Sequence, residues 1–329
     1  MMQRLLKCRG LLASAVFAVL MGGVTAQAES PGASGSADPT DNGGSLTFAA
    51  QADIARVVAY WTPERMAAAV PADVPMTSGK APISLRRVPE DKQVGRVDGA
   101  EPRGGVPMMA ADIHSMSGRV FYTGDQGGNY SCSASTVNSN GKRVVFTAGH
   151  CVHGGGAGRG WHTNWVFVPA YHAGSPYGTW TAYQLWAKNG WINSADRAYD
   201  VAAAVMNPLN GVRIVDAVGG QGIKWGIGYG QTIYQFGYPA YAPYNGSQLY
   251  YCSGATWNEG GFPTISCSMT GGASGGPWLE SYGQQFWAYL YSVNSWQFWN
   301  PDPSHVYKWQ GPYFSYDTAG SLFDLVKDM

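Results

Sequence analysis

From Arg119 to Val293 the chain is a succession of short apolar and aromatic runs, each soon closed by glycine, proline, asparagine or serine. GRVFYT, YSCSASTV, NWVFVPAY, DVAAAVM, QTIYQFGY, LYYCS and QFWAYLYSV are too short for core helices and rich in β-branched and aromatic residues. They read as strands. Asn140-Gly141, between Cys132–Val137 and Lys142–Thr147, is the strongest short hairpin signal the chain carries. The 45 glycines, 13 tryptophans and 20 tyrosines among 329 residues fit a turn-rich sheet protein better than a helical bundle. Strands at this spacing over about 200 residues predict an all-β sandwich or pair of barrels, with one short helix in SLFDLVKD after Ser321.

Charge narrows the function classes. Only 13% of residues are charged, against about 25% in a typical domain, and Lys+Arg and Asp+Glu balance at 21 each. No basic surface points to nucleic acid, and no acidic run points to a disordered tail. The N-terminus has the form of an export signal, with Arg4, Lys7 and Arg9 before the apolar LLASAVFAVL and an Ala26-Gln27-Ala28 cleavage site. The apolar part is well short of the roughly 20 residues a bilayer span needs, so the mature protein is expected outside the cell and off the membrane.

Residues 1–28 therefore read as signal peptide, 29–110 as propeptide and 111–329 as the main domain. The propeptide differs in composition, lacking cysteine and carrying one tryptophan, Trp61. Ala52 to Val70 is expected to form one amphipathic helix, and Pro82 to Lys92 an exposed linker. Signal removal leaves Cys132, Cys151, Cys252 and Cys267, an even count that in an exported chain reads as two disulfides. Pairing neighbours, Cys132 with Cys151 and Cys252 with Cys267, is the economical choice, although other connectivities stay open.

Three segments carry chemistry. SMTGGASGGPWL, Ser268 to Leu279, crowds four glycines around Ser274. VVFTAGHCV sets His150 directly after an apolar strand, and AYDVAAAVM sets Asp200 at the head of another. A serine hydroxyl needs a base to take its proton, histidine titrates in the right range, and a buried carboxylate fixes its tautomer. Glycines let backbone N–H groups turn toward a developing oxyanion. Asp196 competes with Asp200, which is preferred because the apolar run begins immediately after it. His150 and His153 make an H-x-x-H spacing, but no third ligand supports a metal. Gly220 to Gly230 is glycine-rich without the Gly-Lys-Ser/Thr of a phosphate loop.

The T-A-G-H-C around His150, the D-V-A-A-A-V from Asp200 and the G-x-S-G-G-P around Ser274, in that order, resemble chymotrypsin-fold serine peptidases. Bacterial secreted members, both trypsin-like and glutamyl-endopeptidase-like, are the nearer match, and Gly237-Tyr238-Pro239 resembles a segment of the latter. The resemblance spans about Arg119 to Trp296. It implies a two-barrel all-β fold, nucleophile Ser274, general base His150, orienting carboxylate Asp200, and an oxyanion hole from the N–H groups of Gly272 and Ser274. It further implies that Ser295 bonds the aspartate, that Trp296 borders the substrate cleft, that Cys132–Cys151 staples the histidine loop and that Ser268 lies at the pocket floor. An uncharged floor predicts no strong preference for Arg or Lys at P1, and Asn294, where glutamyl enzymes carry histidine, argues against Glu.

Ala273 stands where animal members have the aspartate that pairs with a freed N-terminus, so activation must take another route. The expectation is a secreted, monomeric serine endopeptidase acting on peptide or protein substrates, with no metal or organic cofactor. The alternative is a latent or inactive peptidase-fold binding protein, for protein or carbohydrate, suggested by Trp287, Trp296, Trp299 and Trp309.

Overall fold

The computed structural model describes residues 34–38, 43–48, 51–72, 93–103, 113–299 and 306–329. The expected signal peptide and the expected linker at 82–92 lie outside these. Six antiparallel strands build the first half: β1 (Ser117–Thr123), β2 (Asn129–Val137), β3 (Val144–Thr147), β4 (Thr163–Pro169), β5 (Trp180–Lys188) and β6 (Ala202–Met206). Their order β5-β6-β3-β2-β1-β4 closes through pairing of β4 with β5, so the sheet is a barrel with no free seam. The β2–β3 hairpin pairs Ser135 with Phe146 and Val137 with Val144 around the Asn140-Gly141 turn. Phe146, Phe167, Leu185, Val205 and the whole of β6 are buried.

The second half is two sheets packed face to face. One runs β9 (Tyr250–Ala255), β8 (Thr232–Gly237), β12 (Pro277–Glu280), β13 (Tyr289–Val293), β7 (Gly222–Trp225). The other runs β10 (Trp257–Glu259), β11 (Phe262–Ser266), β15 (Val306–Gln310), β14 (Trp296–Trp299). Ile233, Ile265, Met269, Trp278, Tyr291 and Trp309 fill the space between them. The fold is thus the all-β, two-barrel arrangement of chymotrypsin-like proteases. Cys132 bonds Cys151 and Cys252 bonds Cys267, the neighbour pairing. The first ties β2 to the segment after β3; the second ties the two sheets of the second half. The helix Ser321–Val326 buries Leu322, Phe323 and Val326, and its end returns to the hairpin, where Gly141 N–H donates to Lys327 O at 2.8 Å.

The upstream chain departs from the single helix expected over Ala52–Val70. Two helices form, Gln51–Tyr60 and Pro63–Ala68. Pro63 has no N–H to continue the first helix and fits the first turn of the second, while the Thr62 side chain caps it by accepting from Arg65 N–H. Val57, Trp61, Met66 and Ala69 pack on Phe121, Val166, Val168 and Tyr171, on the outside of the β1–β4 wall. Burying Trp61 there contributes on the order of 2–3 kcal/mol. Before these helices, Gly43–Thr47 pairs with Gln184–Lys188 of β5, past the point where β4 leaves that strand. After them, Val70–Pro71 runs parallel to Tyr130–Ser131 of β2, and Ala72 N–H donates to Ser131 O at 2.9 Å.

Residues 93–103 belong to the other half. Gly95–Val97 adds an antiparallel strand to β7, and Ala100 exchanges two 2.8 Å backbone hydrogen bonds with Gly220. Tyr289 OH donates to Asp98 at 2.6 Å.

Candidate active site

His150 sits in a tight turn, Gly149–Cys151, directly after β3, and the disulfide holds Cys151 to β2. Gly149 has no room for a side chain, because a Cβ there would come within 2.9 Å of Trp191 and 3.0 Å of Asp200. Asp200 ends the short turn Arg197–Tyr199, just ahead of β6, and is fully buried. Because β6 pairs with β3, the two residues meet at one end of the barrel. Asp200 Oδ1 accepts from His150 N–H at 2.8 Å, and Oδ2 lies 2.8 Å from His150 Nδ1. The Ser295 hydroxyl donates to the same Oδ2 at 2.5 Å. Burial alone would raise the Asp200 carboxyl, but the His150 ring, the Ser295 hydroxyl and the His150 backbone N–H outweigh it and hold the group below the usual carboxylate range. An ionised carboxylate only accepts, so Nδ1 carries a proton, and in the neutral ring the lone pair then lies on Nε2. Nε2 is buried and has no hydrogen-bond partner among the described residues.

Asp196 is turned elsewhere. Its side chain accepts from Ala198 N–H at 3.0 Å and caps the turn that delivers Asp200.

Ser274 comes from the second half, on the loop between β11 and β12. That loop is fixed by its carbonyls. Gly271 O accepts from Ala240 N–H at 2.7 Å, and Gly272 O from the Ser133 hydroxyl at 2.8 Å. Ala273 O accepts from Asn294 Nδ2 at 2.7 Å, and Ser274 O from Ser133 N–H at 2.7 Å. With four successive carbonyls anchored, the N–H groups of Gly272 and Ser274 have no acceptor among the described residues. That is the arrangement an incoming oxyanion requires. Two glycines make it possible. Gly272 has φ +91°, and Gly275 has φ +80° with no space for a Cβ, which would lie 2.1 Å from Thr147 Oγ1. Thr147 stands three residues before His150, so Gly275 is the point where the serine loop seats on the first barrel.

Trp296 lies over the Arg197 guanidinium at 4.2 Å. Burial lowers Arg197 to about 10, partly offset by Asp200. Trp296 also borders a cavity of about 770 Å³ with His150, Trp191, Gln297 and Trp299. Both polar atoms of the Gln297 side chain are buried without partners among the described residues. Ser268, expected at a pocket floor, is exposed and outside this lining. Beyond the end of β11 at Ser266, Cys267 and Met269 are buried in the core of the second half while Ser268 is left exposed. Val70, Pro71 and Ala72 of the upstream segment also line this cavity.

The metal alternative loses its ligands. Cys132, His150 and Cys151 gather within 4.8 Å, but the two sulfurs are bonded to each other. His153 accepts from Gly155 N–H at 3.0 Å and stands edge-on to Trp161.

The sequence does not announce the contacts that Ser133, Asn294 and His162 make with the serine loop and the histidine turn. Ser133 lies 139 residues from the carbonyl it binds, and nothing local in YSCSASTV announces that contact. His162 Nδ1 accepts from Asp125 N–H at 3.1 Å, leaving Nε2–H to donate to His150 O at 3.1 Å. It steadies the histidine turn from behind.

A closed antiparallel barrel, a second β half and a polar site at their junction define a chymotrypsin-like protease fold. Comparison with solved structures gives the same class. The protease Anisep of Arthrobacter nicotinovorans is 35% identical with a TM-score of 0.60, over 71% of this chain and 100% of that one. The thermostable serine protease AL20, from an extremophilic microorganism, is 33% identical with a TM-score of 0.60, over 65% of this chain and 98% of that one. No family model matches the chain, and no curated protein matches it. The chain belongs to the bacterial serine proteases of chymotrypsin-like fold.

Proposed function

We propose that the protein is a secreted serine endopeptidase whose nucleophile is Ser274. His150 Nε2 takes the hydroxyl proton as Ser274 attacks the peptide carbonyl, and Asp200 holds the ring and stabilises the imidazolium that forms. The Gly272 and Ser274 N–H groups bind the oxyanion. His150 then protonates the leaving amine, and water, deprotonated by the same nitrogen, releases the acyl-enzyme. The observation that carries this reading is the conjunction of a histidine held by Asp200 with a loop whose four successive carbonyls are hydrogen-bonded and whose Gly272 and Ser274 N–H groups have no acceptor among the described residues.

The upstream chain fits a latent precursor. Val70–Ala72 borders the cavity that holds His150, using backbone groups of β2 that an extended substrate would otherwise reach. We place the processing boundary between Ala72 and Gln93, earlier than composition suggests, since 93–103 is woven into the second half. N-terminal sequencing of the secreted form reads this directly; a start after Arg103 refutes it.

The test of activity is labelling of processed protein with a fluorophosphonate, followed by peptide mapping. Label on Ser274, lost in Ser274→Ala and His150→Ala, is expected. No label on folded, processed wild type overturns the enzyme reading in favour of a peptidase-fold binding protein. A P1-randomised peptide library then reads the P1 preference, which Ser268, outside the cavity lining, does not set.

A further inference from the structure

Asn294 is fully buried at the junction of β13 and β14, and every hydrogen-bonding group it owns is used. Its Nδ2 donates to Ala273 O at 2.7 Å and Phe236 O at 2.8 Å. Its Oδ1 accepts from Trp278 Nε1 at 2.6 Å and Gln235 Nε2 at 2.5 Å. Its backbone N–H donates to Gly276 O at 2.9 Å, and its backbone carbonyl accepts from Gly275 N–H at 2.7 Å. The amide orientation is dictated by chemistry. An indole N–H only donates and backbone carbonyls only accept, so oxygen must face Trp278 and nitrogen the two carbonyls.

Three of these six bonds go to the residues around Ser274. The bond to Ala273 O bears most directly on reactivity. The Ala273–Ser274 peptide is one rigid plane, so anchoring its carbonyl on one side points the Ser274 N–H to the other. Ala273 has no charged side chain of its own to fix the loop. Resting on the assignment of Ser274 as nucleophile, we infer that Asn294 is the positioning residue of the oxyanion loop. It sets the Ser274 N–H through the Ala273 carbonyl with a neutral amide, braced by Gln235 and Trp278, and needs no ion pair and no newly freed chain terminus. Asn294 touches neither substrate nor reacting atoms.

The decisive variant is Asn294→Asp, equal in size and opposite in hydrogen-bond sense. An ionised carboxylate cannot donate to Ala273 O or Phe236 O and places negative charge against both oxygens. With the processed protein and a peptide ester, kcat at neutral pH is expected to fall by about 10²–10³, the usual loss on misplacing one oxyanion donor. KM is expected to stay within about threefold, because ground-state binding does not use that donor. As pH falls and the introduced carboxyl takes up a proton, one donor returns, and kcat relative to wild type should rise. A kcat near wild type, or equal damage to kcat and KM without that acid recovery, overturns the inference. Hydrogen exchange across 270–276 supplies a readout independent of turnover. Faster exchange in Asn294→Asp, with the rest of the molecule unchanged, is required; unchanged exchange there refutes the positioning role even if wild type hydrolyses nothing. Failure of wild type to take a fluorophosphonate label would instead defeat the enzyme reading.

Discussion

The two sides of the candidate site are held by different means. The His150–Asp200 corner is side-chain chemistry, in which one buried carboxylate accepts from a ring nitrogen, a backbone N–H and a hydroxyl. The serine loop is backbone chemistry, in which carbonyls are pinned outward and glycines take up positive φ. The corner tolerates little change in charge but keeps ordinary backbone. The loop carries no charge and tolerates little change in shape. The candidate site therefore rests on two different kinds of precision that meet where Gly275 seats on Thr147.

The sharpest way to break the corner is Asp200→Asn, expected to lower kcat by about 10⁴ because the amide stabilises the wrong tautomer of His150 and no imidazolium. Asp196→Asn keeps an acceptor for the Ala198 N–H and is expected to stay near wild type. Steady-state kinetics on the processed enzyme separates them, and a larger loss in Asp196→Asn would reverse the assignment. On the loop side, the corresponding probe is Gly275→Ala. It adds a left-handed backbone penalty to a clash with Thr147 Oγ1 and Ser133 O, and is expected to cost roughly 3–5 kcal/mol. Gly158→Ala is the control, with φ +81° but nothing within 4 Å of the added Cβ, and should cost only about 1 kcal/mol. Urea unfolding of the two variants isolates contact from backbone strain; equal losses would mean that Gly275 is needed for φ alone.

The same division explains what could be read from the chain. The strands from Arg119 onward, the hairpin at Asn140-Gly141 and the helix after Ser321 follow from period and turn chemistry, which are local. His150 and Asp200 could be singled out because each adjoins an apolar strand, Ser295 only through the family resemblance, and the structure brings the three side chains into contact. Asn294 and Ser133 could not. Their contacts to the serine loop are to main-chain carbonyls, Ala273 O for Asn294 and Gly272 O for Ser133, and a carbonyl leaves no trace in a sequence. The resemblance puts Ser268 at a pocket floor, but past the end of β11 the chain buries Cys267 and Met269 and leaves Ser268 exposed. The single helix over Ala52–Val70 failed at Thr62-Pro63, where a cap and a proline outweigh amphipathic continuity.

A smaller effect tests whether the corner depends on the residue behind it. His162 is buried and stacked on Tyr122 at 4.4 Å, and it donates to the carbonyl of His150 itself. Burial is the main cause lowering its pKa from 6.5 to about 4, only partly offset by the bond to His150 O and by Asp125. The unfolded chain therefore binds this proton first, and stability falls as pH drops from about 6.5 toward 4. From these two values, His162 should account for about 2 kcal/mol of lost stability between about pH 6.5 and 4.5. Asp200 acts in a lower window. Its depressed pKa contributes stability above the ordinary carboxylate value that is lost only as pH falls below it. Urea unfolding across this range should thus give a slope that flattens in His162→Asn and persists in Asp200→Asn. If the slope survives in His162→Asn, the mid-acid sensitivity arises elsewhere, and the His150 turn does not depend on the neutral form of the histidine behind it.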